Sequence, residues 1–448
     1  MDIINMNTKW KHYKEKLLIK FVFWLFIKFL KAEKKTDAKP RLFWGLSPII
    51  NFKYWNEALK KAGYPSKTVM LQYYESSQEK DFFDEYTNEI KLPEYRKPFS
   101  SLWKLFPDRR DLQLILYIAG NFDIIHTSME GLIFKFGDFW REELLFYKRC
   151  GIKIITLPFG GDFYRLSKIY NKSWQHGLLA HYPQMAQWEN KIQNRIEFFT
   201  EHANCIICGM QVDQIGRWDV LPYNMARINC EQWKPKMEYS NHDGRNGVVK
   251  IYHTPNHRTI KGTEFLIEAV KELKKEGLLV ELVLLEKIKN DKVMELLYKD
   301  ADILVEQLIL GYALSAVEGM ATGLPVISNL EEEIYTRVFR RYSFLNECPI
   351  LSSTPERIKD DLRVLVTNPG LRKELGIASR EYVEKYHSDK TAIAMFSAVY
   401  DKIWYNKPVD LINFYNPHKS DSYNNRTPKI EHPLTENKIP PELMNKLK

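Results

Sequence analysis

Two basic side chains and one carboxylate mark where chemistry is most legible in this chain. Arg258 and Lys261 follow an apolar run over 248–252, and Gly262 and Thr263 then open a helical pattern that reaches Lys275. The free amides and the dipole of a helix start favour an anion, most often a phosphate. A second helical pattern begins near Gly311 and carries Glu318 roughly two turns in. Two cations, a helix start and one acid suit a nucleotide diphosphate, with the cations on the phosphates and the acid on the ribose hydroxyls. Each charge-assisted bond of this kind contributes roughly 1.5 to 3 kcal/mol.

These side chains need a frame that brings them together. Apolar runs over 248–252, 280–285, 303–305 and 325–328 alternate with helical patterns, which is the grammar of a parallel sheet covered by helices. In open α/β sheets ligands sit outside the carboxyl ends of the strands, where Arg258, Lys261 and Glu318 would converge. The first half of the chain has the same grammar. Arg41 to Leu46 predicts a strand, Lys53 to Ala62 a helix ended by Gly63, and Lys67 to Leu71 the next strand, a βαβ opening. Further strands are expected at Phe122 to His126, Lys153 to Leu157 and Asn204 to Gly209, with helices at Phe139 to Lys148 and Asn194 to His202. The polar stretch from Tyr239 to Gly247 reads as the linker between two domains, over 40–240 and 248–388.

The second half resembles the nucleotide-binding domain of retaining glycosyltransferases of the GT-B fold, specifically glycosyltransferase family 4. The likeness rests on Arg258, the Lys261-Gly262 pair, and Glu318-Gly319-Met320-Ala321 followed by Gly323-Leu324-Pro325-Val326-Ile327. Where that family has a first glutamate eight residues before Glu318, this chain has Leu310; Glu306-Gln307 just upstream is similar to a variant with an acidic-Gln pair. The resemblance implies an α/β protein with two Rossmann-like domains facing each other across a cleft. It implies catalytic roles for Arg258, Lys261 and Glu306, and donor binding by Lys261, Gly262, Gly311 and Glu318. It places Gly45, Ser47, His126, Gly161 and Asp162 on the acceptor side; a tight turn at Ser47 and a structural histidine at His126 are the alternatives. The family's His-Gly-x-Asp loop is incomplete here, with Phe159 in the neighbourhood of the missing histidine. Residues 389–405 would form the helix that crosses back to the first domain.

The resemblance further implies transfer of a sugar, with retention, from a UDP- or GDP-linked donor to a glycan or lipid-linked acceptor. The donor is a substrate, so no cofactor and no metal are expected. His253 and His257 flank a proline with no third ligand near, which argues against a metal pair. The rival readings are a binding or scaffold protein of the same fold that has lost catalysis, motivated by Leu310, and a nucleotide-sugar epimerase.

The totals agree with two domains. The chain has 448 residues, 44% of them hydrophobic and 27% charged, with a net charge of +9 that favours anionic partners. The basic and aromatic stretches come without a recognised nucleic-acid module, so no nucleic-acid partner is expected. Five cysteines without zinc spacing fit a reducing compartment, and Cys205 and Cys208, in an apolar run, read as buried thiols. Over 1–39, an apolar segment from Leu17 to Leu30 is interrupted by Lys20 and Lys28. It is short of the ~20 apolar residues a membrane span needs. The expectation is an interfacial helix with Phe21, Phe23, Trp24, Phe26 and Phe29 in the lipid boundary and lysines on anionic headgroups, on the cytoplasmic face of the membrane. The alternative is a helix packed on its own protein. Residues 406–448 read as a loose tail.

Overall fold

The apolar runs form two separate sheets in the structure, a computed structural model that describes residues 15–28, 38–74, 78, 80–92, 109–208, 215, 217, 226–424 and 429–446. The first sheet contains β1 (Leu42–Trp44), β2 (Ser66–Met70), β3 (Glu85–Tyr86), β4 (Ile124–Thr127), β5 (Lys153–Thr156) and β6 (Cys205–Ile206). Their order is β3-β2-β1-β4-β5-β6 and every pairing is parallel. The second sheet contains β7 (Val249–His253), β8 (Val280–Leu284), β9 (Ile303–Gln307), β10 (Val326–Ser328) and β11 (Leu351–Ser352), in the order β11-β10-β9-β7-β8, again all parallel. In each sheet the strand order reverses beside its first strand, which opens a crevice at the strands' carboxyl ends.

A helix over 15–28, α1, comes before the first sheet. The first domain adds α2 (Ile50–Lys61), α3 (Arg109–Asn121), α4 (Trp140–Arg149), α5 (Lys172–His181) and α6 (Glu189–His202). The second has α7 (Arg258–Lys261), α8 (Thr263–Lys275), α9 (Asn290–Asp300), α10 (Leu314–Ala321), α11 (Ile358–Thr367) and α12 (Pro369–Tyr386). Helix α10 presses on β9 through Gly319, where any Cβ would collide with the side chain of Leu304. Helix α13 (Asp389–Ile403) packs against the first domain. Its Phe396 ring lies 5.2 Å from Trp44 and 5.6 Å from Trp55, and its Tyr400 hydroxyl is 2.9 Å from His126 Nε2.

Two expectations need correction. Phe23 and Phe26, expected in lipid, are buried in the protein together with Ile19 and Val22. The Phe23 ring stacks on Phe146 of α4 at 4.4 Å, and Lys16 pairs with Glu142 at 3.0 Å. The stripe at 19, 22, 23 and 26 has helical spacing, and each such side chain gains roughly 1.5 to 3 kcal/mol by burial against the nearest apolar face. Phe21 and Trp24 remain half exposed with Leu17, and Phe29 lies outside the described residues. The tail is not loose over its described residues. Leu411, Tyr415, Ile430 and Leu434 are buried, and Asn437 Nδ2 donates to the carbonyls of Cys348 and Ile350 at 2.8 and 2.9 Å. These anchors are single apolar residues without periodicity, so the pattern that reveals a helix or strand is missing.

Candidate functional site

A cavity of about 590 Å³ lies between the domains. Ile50 and Tyr74 line it from the first domain; the loop 254–257 after β7, together with Lys261, Asn290, Ser315 and Glu318, lines it from the second. Lys261 ends the short helix α7, which the sequence pattern did not reveal. Gly262 then takes the left-handed conformation, φ 72°, and lets the chain turn into α8. Buried at this joint, the Lys261 ammonium meets Glu306 Oε1. Glu306 sits on β9 with its side chain fully buried, and its carboxylate also accepts from Ser315 Oγ at 2.9 Å and Ser328 Oγ at 3.1 Å. It does not line the cavity, so its place is behind Lys261, as a group that positions the ammonium. A buried ion pair persists only when further hydrogen bonds satisfy the charge, which the two serines do here.

Two carboxylates line the cavity: Glu286, which is held by the Arg258 guanidinium, and Glu318. Burial pushes the Glu318 pKa up to about 7, against the lowering effect of the Asn290 hydrogen bond, 2.8 Å from Nδ2 to Oε1, and of the Lys261 charge; Glu306 adds to the rise. Asn290, at the start of α9, carried no signal in the sequence. His257 is a second addition. Its ring lies 4.3 Å from His181 and its Nε2 is 2.6 Å from the Tyr182 hydroxyl, so the segment after α5 reaches across to the second domain. Burial, then His181 and Lys261, lower its pKa to about 4.

Arg258 is placed differently from expectation. Its guanidinium grips Glu286 with two bonds of 2.9 and 2.8 Å and Glu264 with a third of 2.9 Å, and it is absent from the cavity wall. Those two carboxylates hold its pKa above the ordinary arginine value. The start of α8 is likewise closed. Thr263 is buried against His253 Nε2 at 2.8 Å, and a Cβ on Gly262 would stand 3.0 Å from Leu308 Cβ. Two other helix starts do open on the cavity, α9 at Asn290 and α10 through the partly exposed residues 313–315, the latter with no side-chain cap. Gly311, three residues upstream, has φ 69° and donates to Asn329 O at 2.6 Å, a turn that aims α10 and not part of the wall. Leu310 is buried.

On the first domain, His126 is fully buried. Its Nδ1 is 3.0 Å from Phe43 O, its ring stacks on Trp44 at 3.7 Å, and burial lowers its pKa to about 3. It is a structural histidine. Asp162 accepts from the backbone amides of Met129, Phe159 and Gly160 at 2.8, 3.0 and 2.9 Å, which fixes the loop after β5; burial raises its pKa to about 6. Gly161 beside it has open space around its Cα. Gly45 packs on the Val69 carbonyl. Ser47 donates to Glu130 Oε2 at 2.7 Å, and the buried Lys135 Nζ meets the same oxygen at 2.7 Å. Glu130, four residues beyond His126, thus holds both Ser47 and Lys135 and lines neither interdomain cavity. Among the described residues no group of three or more His, Cys, Asp or Glu is arranged to hold a metal.

Two parallel-sheet domains around such a cavity define the GT-B architecture, and comparison with solved structures agrees. A sucrose-phosphate synthase from Thermosynechococcus elongatus superposes with a TM-score of 0.51 over 83% of this chain and 100% of its own, at 13% identity. An α-glucosyltransferase bound to UDP and a 13-mer DNA gives 0.50 over 81% and 99%, at 9% identity. No protein-family model matches the chain, and no curated protein does. The fold is therefore GT-B.

Proposed function

We propose that the protein is a glycosyltransferase that moves a sugar from a UDP- or GDP-linked donor to a glycan or lipid-linked acceptor, with retention, in the assembly of a cell-surface polysaccharide or glycolipid. One observation carries this reading: Lys261, Glu318 and the open start of α10 line the same interdomain cavity. Glu318 accepts from the ribose hydroxyls. The amides at 313–315 and the Lys261 ammonium meet the diphosphate, with Lys261 turning from Glu306 toward it. As the bond from the anomeric carbon to the phosphate oxygen breaks, charge grows on the diphosphate. Lys261 and the α10 dipole stabilise that charge, worth several kcal/mol in a dry cleft. The acceptor oxygen bonds to the same face of the anomeric carbon, and its proton leaves with the diphosphate. No metal ion is needed in this scheme, because the ammonium and the helix start supply the positive charge. Arg258 braces α7 through Glu286 and Glu264.

The same reading sets the protein on an anionic membrane surface at the cytoplasmic face. Leu17, Phe21 and Trp24 stand exposed on α1 at a spacing of four and three residues, beside Lys20 and Lys28. Among the described residues no helix is long and apolar enough to cross a membrane.

A second reading, a binding protein without turnover, is favoured by the burial of both Leu310 and Glu306, which leaves β9 without a carboxylate in the cavity wall. Thermal shift with a panel of nucleotide diphosphates and their sugars, followed by donor turnover in the wild type and in Lys261→Ala, separates the two. Binding with no turnover favours the second, and failure of every nucleotide to bind removes both.

A further inference from the structure

Beside the cavity of Lys261 and Glu318 lies a smaller one of about 210 Å³, and the two share Ala313 and Leu314 in their walls. Its other walls come from both domains and are largely aromatic, with Phe52, Trp55, Phe163, Tyr164, Tyr335 and Phe339. Among the described residues no Asp, Glu, Lys, Arg or His lines it, and its one amide side chain is Asn51, whose Oδ1 accepts from the Arg227 backbone amide at 3.2 Å. Tyr335 is fully buried, and among the described residues its hydroxyl has no side-chain partner, only the Tyr312 backbone beside it. The Tyr312 hydroxyl, by contrast, is already within 3.4 Å of both the Tyr382 hydroxyl and His387 Nε2.

Size restricts the occupant. A dry cavity of about 150 Å³ takes a benzene-sized molecule, so this one admits a single six-membered ring with a small substituent. Continuity with the nucleotide cavity at Ala313 and Leu314 makes the sugar joined to the diphosphate the ring in reach. Polarity restricts it further. A fully hydroxylated hexosyl group carries a hydroxyl on nearly every carbon, and each one buried without a partner forfeits its hydrogen bonds to water. The wall offers only a few uncharged side-chain partners, the Asn51 amide and the Tyr164 and Tyr335 hydroxyls, and its aromatic faces offer a hydroxyl none. Resting on the donor reading above, we propose that this cavity receives the transferred sugar and that the sugar is a deoxygenated one, of the 6-deoxyhexose class. Its methyl group lies against the aromatic wall, and its remaining hydroxyls pair with Asn51, Tyr164 and Tyr335.

Calorimetric titration of the full chain with matched donors tests this: UDP-6-deoxyglucose against UDP-glucose, and GDP-6-deoxymannose against GDP-mannose. In the pair whose base binds, the deoxy donor is expected to bind about tenfold or more tightly, the scale of one apolar group in a fitted pocket. Equal binding, or preference for the hydroxylated donor, overturns the sugar inference and leaves the nucleotide reading standing. No binding by either pair overturns both. Leu314→Asn, at a partly exposed position in both walls, is expected to shrink the preference. A wild-type preference that this variant leaves unchanged overturns the assignment to this cavity.

Discussion

The ammonium of Lys261 and the carboxylate of Glu306 touch inside the second domain, although the two residues stand 45 apart in the chain. One member of the pair faces the interdomain cavity and the other is sealed behind it. The ammonium that faces the cavity is therefore aimed from the rear.

Lys261→Ala is expected to lower donor turnover by about 100-fold or more, since ~2.7 kcal/mol of lost transition-state stabilisation corresponds to that factor. Glu306→Ala leaves a buried ammonium unpaired and should cost about 3 to 5 kcal/mol in stability. In Lys261→Ala combined with Glu306→Ala most of that loss should be recovered. Urea denaturation of the four proteins gives the coupling, and additive losses would contradict the pairing.

Arg258 is absent from the cavity wall and is held by Glu264 and by Glu286, which lines that wall. Arg258→Ala should lower donor kcat/KM by no more than about fivefold, in keeping with the ~1 kcal/mol an exposed ion pair contributes. A loss as deep as that of Lys261→Ala would place the guanidinium on the phosphates after all.

Glu318 sets a pH dependence. A glutamate in the unfolded chain titrates at about 4.3, whereas burial lifts Glu318 to about 7. Between those values the native state holds a proton that the unfolded chain has lost, so this group lowers stability as pH rises to about 7, and its full cost is present above. The stability of Glu318→Gln relative to wild type should therefore improve from pH 5 to pH 8. Donor affinity should move the other way in the wild type, strengthening as the carboxylate forms, and lose that pH response in the variant. Denaturation and donor titration at matched pH values read both, and a flat profile for the wild type would refute them.

Helix α1 carries two faces with separate tasks. Phe23→Ala, on the face packed against α4, should destabilise the protein by about 3 to 5 kcal/mol. Replacing Leu17, Phe21 and Trp24 together by serine should leave the melting temperature close to wild type and abolish co-sedimentation with anionic vesicles. Sedimentation that persists in the triple variant would remove the membrane-surface assignment.

Most of the strands and helices were legible from residue pattern alone, because buried parallel strands are continuous apolar runs and their helices repeat every three to four residues, whereas the short β3 and α7 and the helix α5 were not. The same pattern set Lys261 and Glu318 at one edge of the second sheet, where both line the cavity, since a cation after one strand and an acid two turns into a later helix end at the same edge of such a sheet. What pattern could not decide was which polar groups face the cavity and which face each other. Arg258 and Glu286, Lys261 and Glu306, Glu318 and Asn290, and Ser47 and Glu130 are pairings between distant segments. Each is settled by where the backbone turns and by the competition of nearby charges for one another once water is excluded. The same holds for α1, whose apolar stripe fits lipid and protein alike until the face of α4 is set beside it. Sequence fixes what a side chain can bond to, and only packing decides what is within reach.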